Sequence, residues 1–351
     1  AKYYKNVEVI TMKTIKTTDA IGMVLGHDIT EIIPGEFKGI AFKKGHIITE
    51  DDIERLLRIG KENVYVFELS EDELHEDEAA IKLGNLFAGP GIYFTGPGEG
   101  KISMKAKDRG VLKINRDLVD EINNIGNICL ATIQENRYVK KDDLLGGCRI
   151  IPLKIKKDKI DAIENIVKNK EPIFQVKPFL NLKTALIITG SEVYKGRIED
   201  KFGPVIEKKV KFFGSDIFYK TIVPDELDTI KNSILHAKEI GAELIIVTGG
   251  MSVDPDDKTP GAIKSTGADI VTYGTPILPG AMLLFSYLDN IPLFGLPGCV
   301  MFARTTAFDL LLPRVFAGEK IIKKDITRMG YGGQCLSCEV CTFPNCHFGK
   351  H

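Results

Sequence analysis

"ELIIVTGGMSVDPDD", residues 243–257, runs from a stretch of apolar residues through two adjacent glycines into three aspartates within four positions. The apolar run lacks polar alternation. A strand of this kind is buried on both faces, as in a parallel sheet covered by helices. The glycine-aspartate segment after it leaves two readings open. Asp254 and Asp256 flank Pro255, which suits a tight turn with a solvated acidic face. The same residues also suit a site that holds a phosphate and a metal ion.

The flanking sequence repeats the pattern. "TALIIT" (184–189) is a continuous apolar strand ending at Gly190, and "DIFYKTIV" (216–223) reads as another. Between them "GPVIEKKVKFFG" (203–214) reads as a helix. Pro204 suits its first turn, Val205, Ile206, Val210 and Phe213 share a face, and Gly214 closes it. "PDELDTIKNSILHAKEIG" (224–241) reads as a second helix, with Leu227, Ile230, Ile234 and Ile240 on one side. Apolar strands alternating with such helices predict an α/β fold with a parallel sheet. "AMLLFSYLDNIPLFGLPG" (281–298) reads as two strands about Asp289-Asn290, a hairpin signal. "MFARTTAFDLLLPRVFAG" (301–318) reads as a last helix, bent at Pro313.

The first half differs in kind. "GEFKGIAFKKGHIITEDDIERLLRIGKENVYVFEL" (35–69) reads as strand, turn, strand, helix, strand. "SEDELHEDEAAIKLGNLF" (70–87) reads as a helix with acidic residues near its start, the end the macrodipole favours. "GPGIYFTGPGEGK" (89–101) reads as a glycine-proline loop. Residues 111–155 again mix short strands with one short helix. Ile160, Ile163 and Val167 recur at helical spacing in the charged stretch 154–172. The expected organisation is a β-rich α+β region over 1–177, in two small units of about 1–70 and 86–156. An α/β domain over 178–320 and a cysteine-rich tail over 321–351 come after it.

Composition narrows the function classes. Of 351 residues, 44% are hydrophobic and 27% charged, with a net charge of −1. No strong field recruits nucleic acid or an anionic membrane, and no apolar run reaches the roughly 18 residues that span a bilayer. Residues 1–20 lack the apolar core of a signal peptide, so a cytoplasmic protein is expected.

In a parallel α/β sheet, ligands bind at the carboxyl ends of the strands. Two strands here end alike, in "IITGSE" (187–192) and "IVTGGMS" (246–252). Glycine lets backbone N–H groups approach an anion closely. Carboxylates become sensible beside a phosphate when a divalent cation lies between them. Asp257 and Asp200 could supply such carboxylates. Asp225 could reach the same place, or cap the helix that begins just after it.

The motifs resemble a known family. "TGSEVYKGRIED" (189–200), "VPDE" (223–226), "TGGMSVDPDD" (248–257), "LPGA" (278–281) and "GLPGCV" (295–300) keep the order and spacing of the molybdopterin-binding domain. That domain occurs in molybdopterin molybdotransferase, gephyrin, the molybdopterin adenylyltransferases and the competence-damage-inducible proteins. "DAIGMVLGHDI" (19–29) resembles the opening of the molybdotransferase's first domain. The resemblance implies a pocket for molybdopterin or the molybdenum cofactor: a tricyclic pterin with its dithiolene and terminal phosphate. It also implies Mg²⁺-assisted handling of an adenylated pterin, metal insertion from molybdate, and dimers or trimers. Carried over residue by residue, the cofactor contacts are Thr189, Gly190, Ser191, Glu192, Thr248, Gly249, Gly250, Met251, Ser252, Pro279, Gly280, Pro297 and Gly298. Asp257 and Asp200 are the catalytic and Mg²⁺-binding candidates.

The chain departs from the family at several of these places. Ser191 stands where the family has aspartate, and Lys201 and Phe202 where it has serine and asparagine. Leu278 and Ala281 replace two lysines, and Cys299-Val300 replaces Asn-Pro. Each lost lysine removes a charge-assisted bond to an anion, about 1.5–3 kcal/mol. Pterin binding is therefore favoured over molybdate insertion. Three functions remain: a binding and delivery protein for the pterin cofactor serving a recipient molybdoenzyme, a transferase using Mg²⁺, or a cofactor sensor.

Four of the seven cysteines crowd the tail. "CLSCEVCTFPNC" (335–346) spaces Cys335, Cys338, Cys341 and Cys346 as C-x2-C-x2-C-x4-C. Three cysteines at this spacing can wrap an iron–sulfur cubane, and four sulfur ligands also suit tetrahedral zinc. A metal-free thiol tail is the third reading, and His347 is read as a bystander.

Overall fold

The computed structural model describes residues 13–33, 37–67, 69–98, 100–251 and 257–349. The chain divides into two compact units. One comprises Ala1–Lys105, Asn115–Thr132 and Leu144–Ile173, and the other Ala106–Ile114, Ile133–Asp143 and Phe174–His351.

In the first unit the helix Glu50–Arg58 begins at Thr49, where Thr49 and Asp52 form a reciprocal capping box. Its Leu56 packs with Leu25, Ile29, Val64 and Val66 in a small core. The helix Glu76–Phe87 carries three acidic residues in its first turn, as its sequence suggested. A four-stranded sheet has the order Ile128–Thr132, Leu144–Ile150, Lys101–Ala106, Ile92–Gly98. The stretch read as a glycine-proline loop is thus largely a strand. It lies at the sheet edge, where a proline is tolerated.

The second unit is built on one six-stranded sheet. Its strands are β1 (Thr184–Thr189), β2 (Ile217–Val223), β3 (Leu244–Thr248), β4 (Asp269–Tyr273), β5 (Leu284–Leu288) and β6 (Ile291–Leu296). The order is β2-β1-β3-β6-β5-β4. The first four run parallel. The β5 strand runs antiparallel to β6, and β4 antiparallel to β5, so the sheet is mixed. The β5–β6 hairpin turns at Asp289-Asn290, both with positive φ of 48° and 71°. That is the type I′ geometry the dipeptide favours.

Every residue of β1 and β3 is buried, and the side chains alternate between two cores. Leu186, Ile188, Leu244 and Ile246 face a core shared with Ile206 and Val210 of the helix Phe202–Phe212 and with the helix Ala307–Phe316. Ala185, Ile187, Ile245 and Val247 face the other side, against Ile230, Ile234 and Ala237 of the helix Leu227–Glu239. Helices therefore cover both faces, which is why these strands read as continuous apolar runs. Leu227 and Ile240 were expected on the buried side of that helix, but they are 40% and 41% exposed. They lie at its two ends, beyond the sheet's cover. Pro313 sits inside the helix Ala307–Phe316, and a further short helix spans Lys323–Arg328.

Candidate functional site

Parallel pairing brings the carboxyl ends of four strands to one edge. Val223 of β2 pairs with Thr189 of β1, Ile188 with Thr248 of β3, and Thr248 with Leu296 of β6. Tyr273 of β4 pairs with Leu284 of β5, and Leu284 with Gly295 of β6. The loop 274–283 thus leaves the sheet at this same edge. Gly190, Gly249-Gly250, Pro297-Gly298 and Pro279-Gly280, separate in sequence, all lie at or near these strand ends.

The first two loops touch. A Cβ on Gly249 would overlap the carbonyl oxygen of Thr189 and lie 2.7 Å from its hydroxyl. Gly249 and Gly250 have φ of 93° and 56°, values that L side chains rarely adopt. The Thr259 hydroxyl donates to the Gly249 carbonyl at 2.8 Å and lies 3.4 Å from the Thr189 hydroxyl. Thr259 opens the helix Thr259–Ser265, so that helix start is fastened onto the glycine turn. Sequence reading missed this role; its only local mark is Thr259 directly before Pro260.

Asp225 does not cap the helix Leu227–Glu239, whose N-cap is Glu226. Its Oδ2 instead accepts from the Ser191 backbone N–H at 3.3 Å. Its Oδ1 lies 3.1 Å from where a Cβ on Gly250 would stand. One carboxylate therefore spans both glycine loops. Asp225 Oδ1, Thr248 Oγ1 and Asp257 Oδ2 are buried with no hydrogen-bond partner among the described residues. Leaving such a group unpaired costs about 1–3 kcal/mol. Three at one sheet edge mark a place where a polar group or cation would be stabilised. Asp257 lies two residues before Thr259. Burial raises the Tyr273 phenol above its ordinary pKa, and the Asp257 charge adds to that rise.

The other expected contacts have varied surroundings. Glu192 is exposed in the short helix Ser191–Tyr194. Met251 is 3% exposed and packs on Gly295, so its side chain belongs to the core. Ser252, with Asp254 and Asp256, lies outside the described residues. Gly280 packs against Ala307. Pro297 is buried directly after β6, and Gly298 opens the short 3₁₀ turn Gly298–Met301. Asp200 Oδ1 accepts from the Phe202 and Gly203 N–H groups, both at 2.9 Å, and Oδ2 lies 3.2 Å from Lys220 Nζ. Both Asp200 oxygens are thus engaged in starting the helix Phe202–Phe212 and holding Lys220. Among the described residues no three His, Cys, Asp or Glu side chains already converge as a metal site.

The tail folds against the same unit. Leu278 N–H donates to the Gly333 carbonyl and Cys335 N–H to the Leu278 carbonyl, both at 2.8 Å. Phe348 is 1% exposed within the sheet's core. Arg304 Nη1 donates to the Glu339 carbonyl at 3.1 Å. Cys335, Cys338, Cys341, Cys346 and His347 all line one cavity of about 340 Å³, together with Pro279. The Cys341 thiol is held below its ordinary pKa by the Thr305 hydroxyl, then by a backbone hydrogen bond at Phe343. A larger cavity of about 720 Å³ opens between the helix Phe202–Phe212 and residues 300–304, with Lys208, Lys211 and Arg304 among its walls.

Residues 185–317 match the family described as a probable molybdopterin binding domain, and residues 14–68 match a domain of unknown function, DUF8806. Over 132 residues the chain is 30% identical to the molybdopterin molybdenumtransferase of Staphylococcus aureus strain COL, covering 35% of this chain and 31% of that protein. The Staphylococcus epidermidis RP62A protein of the same name is 34% identical over 124 residues, 32% of this chain and 29% of that one. The chain thus spans about a third of the length of these curated relatives. A solved structure titled as a tungsten cofactor synthesizing protein MoaB from Pyrococcus furiosus is 22% identical, with 39% of this chain and 93% of that one covered and a TM-score of 0.33.

Proposed function

We propose that the sheet edge formed by Thr189–Glu192, Thr248–Met251, Asp225 and Asp257 binds molybdopterin or a molybdenum-cofactor form of it, and that the protein acts in molybdenum-cofactor biosynthesis or delivery. The observation that carries the reading is the set of three buried polar atoms without a partner among the described residues, on Asp225, Thr248 and Asp257, beside two glycine turns in contact. The family match over residues 185–317 supplies the ligand class.

The residues fit a role for Mg²⁺. Mg²⁺ is commonly held by one or two carboxylates plus substrate phosphate, without an all-protein cage. Among the described residues, Asp257 and Asp225 each keep an unpartnered oxygen at this edge. Bound there, the ion would neutralise phosphate charge that these carboxylates would otherwise repel. The chain's own residues keep the glycine turns open: Thr259 fixes the Gly249 carbonyl, and Asp225 holds the Ser191 N–H. Asp200, with both oxygens engaged, ties the end of the first loop to the first turn of the helix Phe202–Phe212 and to Lys220.

Delivery to a recipient molybdoenzyme is the favoured role, because Leu278 and Ala281 offer no cation to molybdate. Transferase activity on an adenylated pterin, using Mg²⁺ and Asp257, is the alternative. A homo-oligomer working in the cytoplasm completes the reading; among the described residues no helix is long and apolar enough to cross a membrane. Mass spectrometry of small molecules that co-purify under anaerobic conditions tests the proposal. A pterin bearing a phosphate or nucleotide is expected, and a preparation that neither retains nor takes up any pterin contradicts it.

A further inference from the structure

We infer that Cys335, Cys338, Cys341 and Cys346 hold an iron–sulfur cluster in the cavity they line. The inference stands apart from pterin binding and does not rest on it.

Residues 335–349 contain no helix or strand, yet they are fixed along their length. Cys335 is pinned to Leu278, Glu339 to Arg304, and Gly349 N–H donates to the Gly332 carbonyl at 2.9 Å. Phe348 is buried, and its ring lies 6.5 Å from that of Phe343. An irregular segment this long loses much conformational entropy when ordered, and a metal centre is a common source of compensation. The four thiols come from different points of this segment and reach one cavity of about 340 Å³.

The arrangement favours a cluster over a single ion. Zinc with Zn–S bonds of about 2.3 Å draws four sulfurs to within about 4 Å of one another. Here the four thiols, drawn from positions 335 to 346, line one cavity of about 340 Å³. A cubane shares its four ligands among separate irons, so its thiolates stand further apart. The C-x2-C-x2-C run matches the wrapping of one such cube, with Cys346 the fourth ligand. The four thiols are the proposed ligand set, and His347 Nε2 lies 2.9 Å from the Gln334 carbonyl.

The test uses the full chain, purified anaerobically and then incubated with ferrous iron, sulfide and a thiol reductant. Iron, acid-labile sulfide and zinc are measured per chain. Iron and sulfide in equal amounts, about four of each, are expected, with broad visible absorption. Cys338→Ser and Cys341→Ser should each lose most of that absorption, while Cys129→Ser retains it. Circular dichroism should show unchanged secondary structure in all three. Zinc bound without sulfide, no iron after reconstitution, or full absorption in the Cys338→Ser/Cys341→Ser double variant would overturn the inference.

Discussion

Gly249→Ala is expected to destabilise the second unit by on the order of 3 kcal/mol and to abolish ligand binding in whatever fraction remains folded. Two effects combine. At φ 93° an L side chain is strained, by about 1–2 kcal/mol. The new methyl would also overlap the Thr189 carbonyl oxygen, which is backbone of the fully buried β1 and cannot move aside. Overpacking of this kind costs about 1–3 kcal/mol. Relief requires the two glycine turns to separate, and their contact lies at the sheet edge proposed to bind the ligand. Gly267→Ala is the control: its φ is also positive, at 85°, but no atom lies within 4 Å of the added Cβ. Urea unfolding should show a clearly smaller loss there. Equal losses at both positions would mean that the glycine turns are not in contact.

Glu319→Ala is expected to cost about 3–5 kcal/mol, the usual penalty for removing one partner of a buried ion pair. The Glu319 carboxylate lies 2.8 Å from Arg314 Nε, 3.2 Å from Lys113 Nζ and 3.6 Å from Lys177 Nζ. Arg314 is only 5% exposed, and its next acidic neighbour, Asp325, is 3.6 Å away. Removing Glu319 therefore leaves a buried guanidinium with only the longer contact to Asp325. Replacing both partners, as Arg314→Met/Glu319→Leu, should recover most of the loss. The same contact predicts acid sensitivity. Burial alone would raise the Glu319 pKa, but the charges of Lys113 and Arg314 outweigh it and hold it below 4.5. A carboxylate with a depressed folded pKa contributes stability that is present above its unfolded value. That contribution is lost as pH falls through the folded one. Stability that falls on acidification below about pH 4.5 in the native chain, but falls less in the Arg314→Met/Glu319→Leu variant, is the expected result. A Glu319→Ala loss under about 1 kcal/mol would show the contact to be a solvated one.

The sheet was legible because β1 and β3 bury both faces, which leaves an unmistakable apolar run ending at glycine. The Asp289-Asn290 turn was legible for a local reason too, since a two-residue turn of this kind prefers those side chains. Long-range pairing was not. Nothing in "GVLKI" (110–114) marks its antiparallel pairing with Phe174–Pro178, because the partner lies some sixty residues on. The strand Ile92–Gly98 was hidden by its glycines and proline, which an edge position tolerates. At the site, spacing identified the glycine loops but not the use of each carboxylate. Asp225 read either as a helix cap or as a carboxylate reaching the loops, and it does the second. Asp200 looked available, but Lys220 and the N–H groups of Phe202 and Gly203 take both its oxygens. Met251 comes right after the glycines in sequence yet turns into the core. These assignments depend on what lies across the fold, which sequence spacing does not encode.

Calorimetric titration of molybdopterin into the anaerobically handled chain, with and without Mg²⁺, is the most direct test of the pocket. Saturable heat near one equivalent per chain, strengthened by Mg²⁺, is expected. Asp257→Asn should weaken binding roughly 10- to 100-fold in the presence of Mg²⁺, the equivalent of one charge-assisted contact. No heat under either condition, or binding that is indifferent to both Asp257→Asn and Asp225→Asn, would place the pterin elsewhere or nowhere on this protein.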